Sequence, residues 1–249
     1  MLSKAQIKYL RSLHQNKFRR KYGQFLAEGT VNVLDFISGP LKVAQLYATE
    51  KWQTDHREKF PGVKSEVVTL EEMKKISVLK NPSEVLAVVE KPDVILPDIS
   101  LINNYVLTLD DIKDPGNLGT IIRTADWFGI KDIVCSEETV DAYNPKVVQA
   151  TMGSLGRVRV HYTDLATWLG SKSEDLKVFG AVLHGDDIRK AEKPGKGILL
   201  IGSEAHGISK ILYPFIDHQI RIPSAKNSGA ESLNAAVATT IVCYTFVMK

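Results

Sequence analysis

A chain of 249 residues, 44% hydrophobic and 24% charged with a net charge of +3, is long enough for two ordinary domains and lies outside disordered compositions. Its longest apolar stretches, residues 85–89 and 235–242, fall far short of the ~20 residues that cross a bilayer, so no membrane is implied. Two cysteines over a hundred positions apart and six histidines with no His-x-x-x-His spacing indicate two buried thiols, no disulfide framework and no metal. Residues 1–13 mix lysines with apolar residues and lack the continuous hydrophobic core of a secretory signal, which predicts a cytoplasmic protein.

Charge is unevenly spread. Residues 1–100 hold 16 basic and 12 acidic groups, and residues 101–249 hold 16 and 17. The bias concentrates at the start, where Lys4, Lys8, Arg11, Lys17, Arg19, Arg20 and Lys21 precede the first acid, Glu28. Such a run is a candidate contact for a polyanion.

Periodicity predicts, in chain order, a helix over 3–13, a helix over 30–37, a strand over 43–48, a helix over 70–76 and a fully apolar strand over 85–89. These make a compact α/β unit, residues 1–97. Pro92, Pro97 and a loss of period mark a linker, residues 98–104. A second alternating series, residues 105–249, follows with strands at 105–109, 132–135, 158–160, 177–183, 197–201 and 219–222. Helices at 118–128, 145–150, 164–169 and 210–213, and one from about 232, separate or follow them. The alternation predicts a mostly parallel sheet with helices on both faces.

Ligands of parallel sheets collect at the carboxyl ends of strands, and three strand ends carry unusual loops. The first reads Asp114-Pro115-Gly116-Asn117-Leu118-Gly119 and leads to Arg123. Asn117 suits the cap of the helix that follows, and Arg123 taken alone reads as a solvated cation, an ion-pair partner or a functional group. The second loop, Gly202-Ser203-Glu204-Ala205-His206-Gly207, copies P-loop spacing. Ile208 stands where the phosphate-binding lysine belongs, and Glu204 adds a negative charge, so a phosphate ligand is disfavoured. A close-approach ligand loop and a plain strand-to-helix turn both remain. The third runs from Ile222-Pro223 to Ser232-Leu233-Asn234, where Ser232 or Asn234 is placed to cap the last helix. No Gly-x-Gly-x-x-Gly dinucleotide fingerprint occurs.

The ordered set Asn117-x5-Arg123, Ile201-Gly202-Ser203-Glu204-x-x-Gly207 and Ile222-Pro223 followed by Ser232-Leu233-Asn234 resembles the three motifs of the SpoU (TrmH-like) branch of the SPOUT RNA methyltransferases. Ala150-Thr151-Met152-Gly153-Ser154-Leu155 is similar to the small-residue stretch that the family carries beside its sheet. Lys17-Phe18-Arg19 and Phe25-Leu26-Ala27-Glu28-Gly29 resemble the start of an N-terminal RNA-binding domain similar in fold to kink-turn-binding ribosomal proteins.

The resemblance implies transfer of a methyl group from S-adenosylmethionine to a ribose 2′-hydroxyl of RNA. Ribosomal RNA is the expected substrate. A transfer-RNA ribose methyltransferase, a base methyltransferase on the same fold and a non-catalytic RNA-binding protein are the alternatives. By motif, Arg123 would act on the hydroxyl as base or as electrostatic stabiliser, with Asn117, Glu204, Ser232 and Asn234 completing the catalytic set. Leu183, Ile201, Gly202, Ile222 and Leu233 would hold the cofactor. The resemblance further implies a trefoil knot in the C-terminal domain and a homodimer.

Overall fold

The computed structural model describes residues 1–248; Lys249, the last position of the expected C-terminal domain, lies outside them. The chain divides into two compact units, Met1–Asp93 with Asp141–Arg157, and Val94–Val140 with the chain from Val158 onward.

The first unit begins with helices α1 (Lys4–Ser12) and α2 (Asn16–Tyr22), then β1 (Gln24–Glu28), α3 (Thr30–Ser38), β2 (Val43–Ala48), α4 (Glu50–His56), β3 (Ser65–Val67), α5 (Leu70–Ile76) and β4 (Val85–Glu90). Ser3 and Gln6 form a capping box on α1, as do Thr69 and Glu72 on α5, satisfying backbone donors that a helix start leaves unpaired. Gly23, in the left-handed region at φ 62°, stops α2. The sheet order is β1-β4-β2-β3. The apolar run 85–89 is buried throughout and forms most of β4, an inner strand antiparallel to both neighbours.

The second unit contains β5 (Tyr105–Leu109), α6 (Pro115–Trp127) and β6 (Asp132–Ser136). The chain then returns to the first unit for α7 (Pro145–Thr151) before adding β7 (Arg159–Thr163), α8 (Leu165–Gly170), β8 (Val178–Asp187), β9 (Gly197–Ile201), β10 (His218–Arg221) and α9 (Ala235–Val247). Its six strands, in the order β10-β8-β9-β5-β6-β7, pair in parallel throughout. This is the α/β architecture expected from the alternation, with the smaller N-terminal unit also present. The core between sheet and helices includes Val106, Val134, Trp168, Val178 and Leu200.

The structure differs locally from the sequence expectation at four places. The segment 98–104, expected as a linker, instead contributes buried Ile99 and Ile102 to this core, and the Trp168 indole donates to the Pro97 carbonyl at 3.2 Å. The small-residue stretch 150–155 belongs to the first unit. There Gly153 donates to Asn32 Oδ1 at 2.7 Å, and a side-chain carbon on Gly153 would come within 2.2 Å of the Asp35 carboxylate, which is why position 153 is glycine. The expected helix at 210–213 is a 3-10 segment, Lys210–Phe215, containing Pro214, whose missing N–H cannot support an α-helix interior. The strand at 219–222 spans His218–Arg221.

Both cysteines are buried as expected, and burial pushes the Cys135 thiol up and that of Cys243 to about 12. Among the described residues no helix is long and apolar enough to cross a membrane.

Candidate active site

At the end of β9 the chain closes on itself. Ser203 N–H donates to the Gly207 carbonyl at 3.1 Å and Gly207 N–H returns the bond to Ser203 at 2.8 Å, while His206 N–H is held by the Ser203 hydroxyl. These donors are consumed inside the loop, so they form no phosphate cradle, and the P-loop spacing is a coincidence of glycine placement. A side-chain carbon on Gly202 would lie 2.1 Å from the Gly207 carbonyl carbon, and Gly207 sits at φ 68°. Both glycines are therefore required by geometry.

The base of this loop is pinned by Asp110, a buried residue that the sequence reading did not single out. Its N–H donates to the Ile201 carbonyl at 2.9 Å, and its Oδ2 accepts from Ser209 N–H at 2.7 Å. One residue at the end of β5 thus anchors both stems of the loop. The available signal was an acid directly after the largely apolar strand Tyr105–Leu109, where an unpartnered carboxylate would be costly to bury.

The loop presents Glu204 to two helix starts. Its Oε1 accepts from Asn117 Nδ2 at 3.0 Å, from Asn234 Nδ2 at 2.6 Å and from the backbone N–H of Ala235 at 3.0 Å. Asn234 Nδ2 also donates to Asn117 Oδ1 at 2.8 Å, so three distant segments are joined in one network. The carboxylate lies at the N-terminus of the 13-residue α9, where unpaired N–H groups and the helix dipole favour negative charge.

The caps explain how the two asparagines are free to do this. Asp114, not Asn117, caps α6 by accepting from Asn117 N–H at 2.8 Å, which leaves the Asn117 side chain for Glu204. Asn234 is the cap of α9: its Oδ1 accepts from Ala236 and Val237, and its Nδ2 is turned toward Glu204 and Asn117. Helices α6 and α9 are joined further along by the Thr124 and Thr240 hydroxyls at 3.2 Å.

Beside the network opens a cavity of about 1060 Å³ whose walls include Leu183, Ile201, Gly202, Ile222 and Leu233, together with Glu204 and Ser232. A register shift between β10 and β8 borders the space. Gln219 pairs with Gly180 but the next residue, Ile220, pairs with Asp186, so residues 181–185 of β8 have no partner in β10. Gly185 allows the return, since a side-chain carbon there would meet the Gln219 backbone at 2.6 Å. Leu183 and Leu233 are left 59% and 44% exposed. Uncovered aliphatic side chains beside main-chain polar groups suit a flat heteroaromatic ring, and the volume is ample for a small-molecule ligand. The five residues expected at the cofactor therefore share one wall system, and S-adenosylmethionine fits it.

Arg123 stands apart. It is exposed on α6, and no hydrogen bond joins it to Asn117, Glu204 or Asn234. The basic N-terminal residues also divide. Lys4, Lys8, Arg11, Lys17, Arg20 and Lys21 are exposed, whereas Arg19 is buried and paired with Asp141 at 2.7 Å. It also donates to the Leu13 and His14 carbonyls. Breaking a buried pair costs on the order of 3–5 kcal/mol, so Arg19 is a structural cation, and its expected role at RNA is withdrawn.

The model of the SpoU rRNA methylase family matches residues 104–244, and that of the MRM3-like substrate-binding domain matches residues 4–87. Over 240 residues the chain is 29% identical to the 23S rRNA (guanosine(2553)-2′-O)-methyltransferase RlmP of Bacillus subtilis, covering 96% of this chain and 94% of that protein. A solved structure of a TrmH-family protein from Porphyromonas gingivalis is similar at a TM-score of 0.89 and 34% identity, over 99% of this chain and 98% of the other. The AdoMet-bound rRNA methyltransferase of Sinorhizobium meliloti is similar at 0.85 and 31%, over 98% and 95%. With the family model spanning the whole of the Asn117, Glu204 and Asn234 network, this chain belongs to the SpoU rRNA methylase family.

Proposed function

We propose that the protein is an S-adenosylmethionine-dependent ribosomal RNA methyltransferase acting on a ribose 2′-hydroxyl. The observation that carries this reading is the convergence of Asn117, Glu204 and Asn234 beside an apolar cavity lined by Leu183, Ile201, Gly202, Ile222 and Leu233. When bound there, S-adenosylmethionine supplies an electrophilic methyl group. The residues of the chain supply the rest. The Glu204 carboxylate, fixed by three donors, orients the two asparagines and the start of α9, and Ser232 lines the same cavity where the target nucleotide enters.

Arg123 meets the ribose hydroxyl and its adjacent phosphate. A guanidinium keeps its proton in proteins, which favours stabilisation of the developing alkoxide over removal of the proton by Arg123 itself, so the hydroxyl proton passes to water. The names of the B. subtilis and S. meliloti relatives support ribosomal RNA and AdoMet respectively. The exposed cations at 4–21 support an RNA-contacting first domain, with Lys4, Lys8 and Arg11 on one stripe of α1.

The active form is a homodimer. Trp127 on α6 and Tyr244 on α9 are 84% and 63% exposed, a pair of large apolar groups on neighbouring helices that asks for a cover. The C-terminal unit is knotted, on the family resemblance, and the protein works in the cytoplasm, as the residue pattern predicts. The domains are residues 1–97 and 105–249 as functional divisions of the sequence, with 141–157 folded into the first.

Purified protein is expected to transfer labelled methyl groups from S-adenosylmethionine to unmodified ribosomal RNA at a rate at least tenfold above that for unmodified transfer RNA, on the order of 1.4 kcal/mol of discrimination. Faster labelling of transfer RNA would move the assignment to that substrate. Absence of S-adenosylmethionine binding in calorimetry would leave a non-catalytic RNA-binding protein.

A further inference from the structure

The first unit carries an aromatic group that neither its core nor the methyl-transfer site uses. Tyr22 ends α2 and is 41% exposed. One turn earlier, Phe18 stacks on it with centroids 6.3 Å apart and planes 16° from parallel. Tyr9 of α1 meets it edge-on at 5.4 Å and 76°, and the Tyr9 hydroxyl is in turn tied to the Gln24 side chain. The ring is thus held by two aromatic neighbours while two-fifths of the residue faces solvent. Packing of α1 on α2 accounts for Tyr9 and Phe18, but not for the exposed part of Tyr22.

The surroundings of that ring are cationic. Lys21 Nζ sits over the ring, 5.4 Å from its centroid, a cation–π contact that an incoming base with its phosphate would replace. At 100° per residue, Lys17, Arg20 and Lys21 occupy the face of α2 that borders Phe18 and Tyr22. All three are exposed, and no acid precedes Glu28 in the sequence. A half-exposed aromatic ring beside a row of exposed cations is the chemistry that takes an unpaired base by stacking and its flanking phosphates by charge.

We infer that Tyr22 is a stacking platform for an unpaired base of the RNA substrate, with Lys17, Arg20 and Lys21 meeting the neighbouring phosphates. The inference rests on the reading of the chain as an RNA-modifying enzyme and adds to it a single-stranded element in the RNA that the first domain holds. Acidic protein surfaces would use the lysines equally well but would gain nothing from the ring.

The test is fluorescence anisotropy of the full chain with a labelled single-stranded RNA oligonucleotide and with an abasic oligonucleotide of the same length. Tyr22→Leu keeps apolar bulk against Phe18 and Tyr9 and removes the aromatic face; Tyr22→Phe keeps the face. Tyr22→Leu is expected to weaken binding of the base-bearing RNA about 5- to 100-fold, with the salt dependence and the abasic affinity unchanged, while Tyr22→Phe binds as the parent does. Replacing Lys17 and Lys21 by alanine is expected to lower the slope of log affinity against log salt by about 0.7 for each cation.

Tyr22→Leu binding within twofold of the parent, or losing equally on both oligonucleotides, overturns the platform. A slope untouched by the lysine changes removes its phosphate half. Failure of the parent chain to bind RNA in any form would instead refute the RNA reading itself, so the two failures are distinguishable.

Discussion

Replacing Arg123 by alanine is expected to lower the rate of methyl transfer by at least about 100- to 1,000-fold, the range seen when one preorganised donor to a developing oxyanion is removed. The dissociation constant for S-adenosylmethionine should stay within about twofold. The separation follows from where the residue sits. Its neighbours Ile121, Ile122 and Ala125 are buried and hold α6 in the core, whereas Arg123 itself is exposed. It is not among the residues lining the cavity. Arg123→Lys should recover only a small part of the rate, because an ammonium lacks the planar fork that addresses a hydroxyl and a phosphate together. Single-turnover rates with parallel calorimetry check both halves. Full activity in the alanine variant would remove Arg123 from the chemistry, and loss of cofactor binding would make its role structural.

A single added methyl group at Gly202 is the second change of large expected effect. The new carbon would stand 2.1 Å and 2.2 Å from the carbonyl carbon and oxygen of Gly207 and 2.3 Å from the nitrogen of Ile208. All three are backbone atoms, so no side chain can swing aside. Relief requires opening the Ser203 to Gly207 closure, and that displaces Glu204 from Asn117, Asn234 and Ala235. Overpacking in a well-packed site costs about 1–3 kcal/mol, and here the disturbed backbone is itself the cavity wall. Gly202→Ala is therefore expected to weaken S-adenosylmethionine binding at least about tenfold, a factor worth ~1.4 kcal/mol, and to reduce turnover further through the lost Glu204 contacts. Gly229→Ala is the matched control. Nothing lies within 4 Å of a carbon added there, and its cofactor affinity should match the parent. Equal affinities for the two variants would show that the closed loop does not shape the site.

The central strands were legible because burial on both faces writes itself as continuous apolar sequence: Val85-Leu86-Ala87-Val88-Val89 and Ile198-Leu199-Leu200-Ile201 are β4 and β9 in the structure. Short elements at the margin of the first sheet were not. Strand β3 is Ser65-Glu66-Val67 with none of the three buried, so it has no apolar inward position to mark it. Helix α4 has only Trp52 buried, and one apolar position sets no period.

The three family motifs were legible as motifs, yet the local roles of their residues were less so. Asn117 and Asp114 are both acceptable cap residues by type, and only the structure assigns the cap to Asp114 and releases Asn117. Arg19 lies among six exposed cations in the sequence, and nothing local reveals that its partner, Asp141, is 122 residues away. The register shift between β10 and β8 beside the cavity leaves one trace in the sequence, Gly185, whose need for space against Gln219 depends on a strand pairing that periodicity does not specify. Asp110 escaped notice for a related reason. Its task is to tie together the ends of a loop that begins over 90 positions later.

The measurement that bears most directly on the enzyme's chemistry is the position of the transferred methyl group. Unmodified ribosomal RNA is incubated with the protein and methyl-labelled S-adenosylmethionine, then hydrolysed completely in alkali. Alkaline cleavage needs a free 2′-hydroxyl next to the phosphate, so a 2′-O-methylated residue stays joined to its neighbour. Label is expected in alkali-resistant dinucleotides, and with Arg123→Ala it should be absent from them. Label released in mononucleotides would place the methyl group on a base and contradict ribose methylation at this site.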